Sequence, residues 1–401
     1  MASSEEQPKI ASALSELIDS SAAVAECVEK LRADLDGRRP DALFLFVSPH
    51  HRDAYALIQE SLLHELRPSL LLGCSGGGVI GGARELEESP GLSVTAAAFP
   101  GVALRATHIN DEDLPGPDDP PRSWELALGV AAAERPGFIT LVSPFMGRSE
   151  DLLMGLDYAF PQSQKVGGVV SGLRHVGERA LFLDGQRFSD GAIVLSLSGP
   201  LRMDTLVAQG CRPVGPLFTV TSCQGNVIET LDKKSALKAV QTIFEGVDAR
   251  TKDLLQRALF VGLVGDNMRQ GEPQAGDFLI RNVMGFDERG GNVAVAAFVR
   301  EGMRLRFHVR DAEAADEDLR KVMARSLAAQ PERKVAGALL FSCVGRGERL
   351  FSEPDHDSQA FARVFGSEAV GGFFCNGEIG PVGGGTYLHG FTSCFAVFSR
   401  A

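Results

Sequence analysis

Short runs of uninterrupted apolar residues recur along this chain, and a stretch of helical periodicity follows each of them. ALFLFV at residues 42–47, bounded by Pro40 and Pro49, reads as a strand covered on both faces. A helix from Asp53 to Leu66 and a second strand from Leu70 to Leu72 come next. Upstream, Val24, Cys27, Val28 and Leu31 share one face of a helix predicted over residues 20–36, with Ser20 or Ser21 as N-cap and Gly37 as stop. Ile10 to Leu17 fits neither period, so strand and short helix both stay open there.

This unit recurs. ALFLFVSPHHRD, a helix, LLLGCSGGGVIGG and GLSVTAAAF are matched by GFITLVSPFMGRSED, a helix, KVGGVVSGLRH and GAIVLSLSG. A third copy runs GALLFSCVGRGER, a helix, AVGGFFCNGEIG and FTSCFAVFS. The spacing holds: 26 positions from Val47 to Gly73, 25 from Val142 to Gly167 and 28 from Cys343 to Gly371. Each copy reads as strand, helix, strand, glycine loop, strand.

The acidic, Pro-rich segment DEDLPGPDDPP (residues 111–121) separates the first two copies as an exposed loop. After helices predicted at Lys234–Glu245 and Lys252–Ala258, alternation in FLIRNVMGFD, NVAVAAFVRE and MRLRFHV predicts antiparallel strands, with turns at Glu288–Gly291 and Glu301–Gly302. Asp316 to Ala329 is an amphipathic helix. The fold class expected is α/β: two related domains built from repeated strand-helix-strand-Gly loop-strand units, with mixed β-sheets covered by helices. Residues 1–231 hold two units; residues 232–401 hold the antiparallel strand region and the third.

Composition narrows the function. The 401 residues are 44% hydrophobic and 23% charged, an ordinary globular balance. A net charge of −12 without a basic cluster argues against nucleic acid. Seven scattered cysteines with no C-x-x-C suit a reducing compartment, and a cytoplasmic location is expected. The first residues lack a basic start with an apolar core, and no window nears the roughly 18 apolar residues a span needs, so no membrane is expected.

Gly76-Gly77-Gly78-Val79-Ile80-Gly81 matches G-x-G-x-x-G, but too few residues follow before Ser89-Pro90-Gly91 for the helix that would face a pyrophosphate. No cofactor is expected. The glycines either let the chain cross a neighbouring strand or line a ligand pocket. Each loop sets small polar or thiol groups beside backbone amides: Cys74, Ser75 and Gly76; Ser171; Cys375 and Asn376. An arginine follows each opening strand, at Arg52, Arg148 and Arg346. Were strand ends to converge, Arg346 would approach Glu378, and the pair would suit an amino-acid-like zwitterion; the plain alternative is an ion pair that only fixes the loop. Arg281, inside an apolar strand, is either a pocket wall or a domain-interface residue. Cys343 or Cys375, with His356 or His389 as base, are candidate nucleophiles, against a reading as buried small apolar residues. The dispersed histidines, including adjacent His50-His51, predict no metal, and no G-x-S-x-G elbow supports a serine hydrolase.

The GCSGGGVIG loop, LIRNVMGFD, HVRDAEAADEDL, FSCVGRGERLF and VGGFFCNGEIGP together resemble the paired FIST-N and FIST-C domains, from about residue 20 to the end. The resemblance implies small-ligand sensing in intracellular signal transduction, with amino acids as a ligand class. It carries over Gly73, Cys74 and Ser75; Arg281, Asn282 and Gly285; Cys343, Gly345 and Arg346; and Gly371, Gly377, Glu378, Ile379 and Gly380. No catalytic set comes with it. The expected partners are a small polar ligand and a separate signalling protein. A thiol-dependent enzyme and a protein-interaction module without ligand stand as alternatives.

Overall fold

A computed structural model describes residues 7–172, 179–265, 271–273 and 275–401. The chain start tested for a leader (residues 1–6) and the LRH end of the second glycine loop (residues 173–175) lie outside the described residues.

Ala42–Val47 is a strand buried at every position, and its pleat sorts its side chains into two cores. Ala42, Phe44 and Phe46 face one cluster; Leu43, Leu45 and Val47 face another, under the helices Ser20–Asp34 and Tyr55–Leu66. The opening strands of the other units divide in the same way. Ile139 and Leu141 from Gly137–Val142, and Leu339 and Phe341 from Val335–Cys343, join Phe44 and Phe46 in the shared cluster. Their alternate neighbours turn outward: Phe138 and Val142 under the helices Pro121–Leu128 and Ser149–Ala159, Ala338 and Leu340 under Ala312–Ala329 and His356–Phe365. Three sheets therefore surround one apolar axis, each with helices on its outer face.

Each sheet has six strands, and in each the opening strand runs parallel to the second strand while its other neighbours are antiparallel. The sheet ends in a hairpin borrowed from another unit. The first unit's hairpin, Gly78–Gly81 and Arg84–Glu87, pairs with Val370–Cys375 of the third. The third unit's hairpin, Glu378–Val382 and Gly385–His389, pairs with Lys165–Val169 of the second. The second unit's hairpin, Leu181–Leu183 and Gln186–Phe188, returns to Leu70–Ser75 of the first. The exchange is cyclic, and it links the N-terminal part of the chain to the C-terminal part. Segments expected as glycine loops are thus partly strands, because their backbone groups find partners in a different unit. A glycine recurs in each second strand for a packing reason. A Cβ on Gly73, Gly167 or Gly372 would lie 1.8 Å from the carbonyl oxygen of Leu45, Thr140 or Leu340 on the parallel neighbour.

A fourth, seven-stranded sheet sits beside this body. Its longest strand, Cys211–Gln224, breaks register between Val214 and Phe218; it pairs with Arg304–Arg310 on one side and Val227–Leu231 on the other, closing the sheet on itself. Val261, Leu263, Phe307 and Val309 fill it beneath the helices Ala236–Gly246 and Ala249–Arg257.

Several local expectations shift. Ile10–Leu17 resolves into the strand Lys9–Ser15. The first helix is capped by Asp19, whose Oδ1 accepts from the Ala22 amide at 2.8 Å, and neither Ser20 nor Ser21 serves as N-cap. NVAVAAFVRE forms a strand only over Asn292–Val295. The strands Leu201–Gln209 and Cys211–Gln224 went unread, the second because Pro213, Gly215 and Pro216 mask its alternation. Position 231/232 falls at the Asp232-Lys233 turn between paired strands.

Candidate functional site

The three glycine loops meet one another at the axis, and their polar atoms are used in that meeting. Ser171 Oγ accepts from the Gly77 amide at 2.8 Å and donates to the Phe374 carbonyl, so one hydroxyl ties three units together. Asn376 donates through its amide to Val169 O at 3.0 Å and through Nδ2 to Val170 O at 3.3 Å. Ser75 Oγ accepts from the Ala180 amide at 3.1 Å. Gly76 donates to Val47 O at 3.0 Å. Cys74 and Cys375 are fully buried, and burial pushes both thiols well above their ordinary pKa. Of the two readings of these glycines, the geometry supports close chain crossing: a Cβ on Gly172 would come within 2.5 Å of the Gly77 nitrogen.

The recurrent arginines do not converge. Arg52 lies half exposed beside Asp53. Arg148 holds the acidic loop, donating to Asp151 at 2.8 Å and to the Asp111 carbonyl at 2.9 Å. Arg346 is completely buried, and its partner is Asp357 rather than Glu378: Nε to Oδ2 at 2.8 Å and Nη2 to Oδ1 at 3.0 Å. Phe351 lies under the guanidinium at 5.2 Å and stacks on His356, whose ring reaches Asp357 at 2.9 Å and Asp316 at 3.2 Å. Burial alone would raise the Asp357 carboxyl, but Arg346 and hydrogen bonds from His356, Arg346 and Ser393 hold it below its ordinary value.

Glu378 is equally buried. Burial keeps its pKa well above the usual carboxylate range, against bonds from the Thr392 amide (3.1 Å) and the Cys343 thiol. A carboxyl whose charged form is disfavoured by burial is a poor seat for an ammonium. Among the described residues, Arg346 Nη1 and Glu378 Oε1 find no hydrogen-bond partner. Cys343 is pushed to about 12, by burial first and Glu378 second, the reverse of what a nucleophilic thiol needs. His389, the other candidate base, sits at about 4 because it is buried, and its Nε2 bonds Gly380 O at 3.0 Å.

Arg281 lies apart from these groups. It stands on the strand Phe278–Asp287, on the wall of a 750 Å³ cavity where the fourth sheet meets the Ser149–Ala159 helix and the third unit's hairpin. That helix points Glu150, Leu153, Met154 and Asp157 into the cavity, the spacing of one helical face. The hairpin adds Tyr387 and Leu388 and is tied to the helix by Asp157, which accepts from Thr386 Oγ1 at 2.8 Å and pairs with buried Lys165 at 2.9 Å. Arg281 donates to the Ile280 carbonyl at 3.0 Å and, among the described residues, has no carboxylate within ion-pair distance. Burial draws its pKa down while the Glu150 charge pulls it up.

Comparison with known proteins follows the same division of the chain. The FIST N domain matches residues 41–234 and the FIST C domain residues 236–381. The chain belongs to the FIST family. Uncharacterized proteins of Mycobacterium bovis (34% identical over 382 residues, 95% of this chain and 96% of that one) and Mycobacterium tuberculosis (35% over 378 residues, 94% and 96%) are similar along their whole length. An F-box/LRR-repeat protein of Arabidopsis thaliana is 24% identical over 290 residues, 64% of this chain and 53% of that one. A solved cyanuric acid hydrolase overlays on 99% of this chain and 100% of its own at 10% identity, with a TM-score of 0.35, too low to bear on activity.

FIST domains are sensory modules of signal transduction. In this FIST chain, Arg281 was legible as a charge inside an apolar strand. Its neighbours Glu150, Met154 and Phe298 were not. Only Met154, an apolar residue on the polar side of its helix and 61% exposed, left a trace in the pattern. Asp357 was missed as well, since an acid just inside a helix start reads as ordinary end chemistry. Among the described residues no group of three or more His, Cys, Asp or Glu is arranged to hold a metal ion, and no helix is long and apolar enough to cross a membrane.

Proposed function

We propose that this FIST protein senses a small carboxylate-bearing ligand bound in the Arg281 cavity. The observation that carries the reading is a mostly buried guanidinium, without a carboxylate partner among the described residues, on the wall of a 750 Å³ space. Cavities of about 300–1,000 Å³ with apolar walls and a few polar groups are the usual form of small-molecule sites. The amino-acid expectation keeps a place here in altered form: Arg281 takes the carboxylate and Glu150, exposed on the rim, attracts an ammonium.

The cavity also suits transmission. Three parts of the fold build its walls, so a ligand that prefers one arrangement of them shifts the population toward it. The third unit's hairpin runs from Leu388 in the cavity to Glu378 beside Arg346, which gives the shift a route to the axis. A separate signalling protein would read it. The seven free cysteines fit a reducing, cytoplasmic setting.

Calorimetry with the twenty amino acids and a series of simple carboxylates tests the reading. At least one carboxylate is expected to bind wild type and to lose roughly tenfold or more with Arg281→Gln, the loss of a hydrogen bond to a charged group. If no carboxylate binds, or if the binder ignores Arg281→Gln, the reading fails.

A further inference from the structure

The walls of the cavity say more about the ligand than the guanidinium does. Leu263, Leu279, Val295 and Met303 form its floor, and Met154 and Phe298 stand at its mouth, 61% and 86% exposed. Large apolar side chains held in water beside an apolar hollow are what a long apolar body would cover. A free amino acid would satisfy Arg281 and leave most of that wall wet. The acidic groups limit the charge. Asp157 already serves Lys165 and Thr386, and Glu150 waits at the rim, so a second anionic group on the ligand would meet carboxylates.

We infer that the ligand is an amphipathic monocarboxylate with an extended hydrocarbon chain, its carboxylate on Arg281 and its chain laid along Leu153, Met154, Leu279 and Phe298. The inference rests on the reading of the Arg281 cavity as the sensory site and adds the chemical class of its ligand. Both ends are needed. Arg281, the one cation lining the cavity among the described residues, fixes the head, and the apolar walls reward each methylene taken out of water.

Isothermal calorimetry of the full chain against hexanoate, octanoate, decanoate, decanol and leucine, all below their micellar concentrations, separates the possibilities. Affinity is expected to rise from hexanoate to decanoate by up to about fourfold per added methylene. Decanol, lacking the charge, is expected to bind about tenfold or more weakly than decanoate. Met154→Ser and Phe298→Ser, both at exposed positions, should flatten the chain-length dependence, with a larger loss for decanoate than for hexanoate. Leucine binding more tightly than decanoate, through Arg281, overturns this inference and leaves the sensory reading standing. A decanoate affinity that Arg281→Gln does not change, or no binding by any probe, overturns both.

Discussion

Arg346 and Arg281 are both arginines of the C-terminal part, and they sit in opposite surroundings. Arg346 is sealed: a two-point ion pair with Asp357, no exposure and an aromatic ring beneath it. Arg281 is partly open, faces a cavity, and has a distant attraction to Glu150 as its charge partner among the described residues. The guanidinium with better hydrogen bonds thus has fewer donors left to offer a ligand. Strength of pairing inside the protein and capacity to bind from outside compete for the same donors.

That contrast breaks most readily at the sealed end. Asp357→Ala leaves a buried cation without its partner, and about 3–5 kcal/mol of stability should go; urea unfolding measures it, and carboxylate affinity of the folded fraction should stay put. Phe373→Ala, at the axis where Phe46 stacks on Phe373 at 5.2 Å, belongs in the same range, about 3–5 kcal/mol. Ser171→Ala strips the Gly77 amide of its acceptor inside the junction of the loops. About 1–3 kcal/mol is expected, read as a lower urea midpoint.

A pH series sharpens the comparison further. Glu85, on the hairpin lent by the first unit to the third, is lifted to about 8 by burial and then by the charge of Asp357. It accepts from the Ser358 amide at 2.7 Å. A folded pKa above the unfolded one, about 4.3, means that its contribution to stability is full below the unfolded value and is lost as pH rises through about 8. Tm against pH for Glu85→Gln should therefore fall less over that window than wild type. Equal slopes would mean that Glu85 is not held protonated. The smallest change belongs to Arg281→Gln, within about 1 kcal/mol of wild type in urea, since a side chain outside buried networks contributes little. A loss as large as that of Asp357→Ala would place Arg281 among the structural arginines.

What the sequence revealed depended on how local the cause was. Ala42–Val47 was legible because a strand buried on both faces has to be apolar throughout, and the three units were legible because a glycine recurs in each second strand, although in the third the one crowded by the parallel neighbour is Gly372, next to the Gly371 used for the spacing. The exchanged hairpins were not. GVIG at residues 78–81 carries no mark of the third unit as its partner, since that choice lies in backbone contacts some 290 positions away, as in the pairing of Gly81 with Gly371. The same holds for the site. Arg281 advertised itself by its cost in an apolar strand, whereas the pairing of Arg346 with Asp357 instead of Glu378 depends on where the His356–Phe365 helix lands on its sheet.

The most direct measurement is a crystal structure of the full chain with decanoate. The account predicts the carboxylate within hydrogen-bond distance of the Arg281 guanidinium and the chain running past Leu279 toward Phe298, with the Arg346 to Asp357 pair undisturbed. Decanoate seated elsewhere, against Lys234 and Lys238 in the 380 Å³ groove beside the Ala236–Gly246 helix or on an opened Arg346, would contradict it.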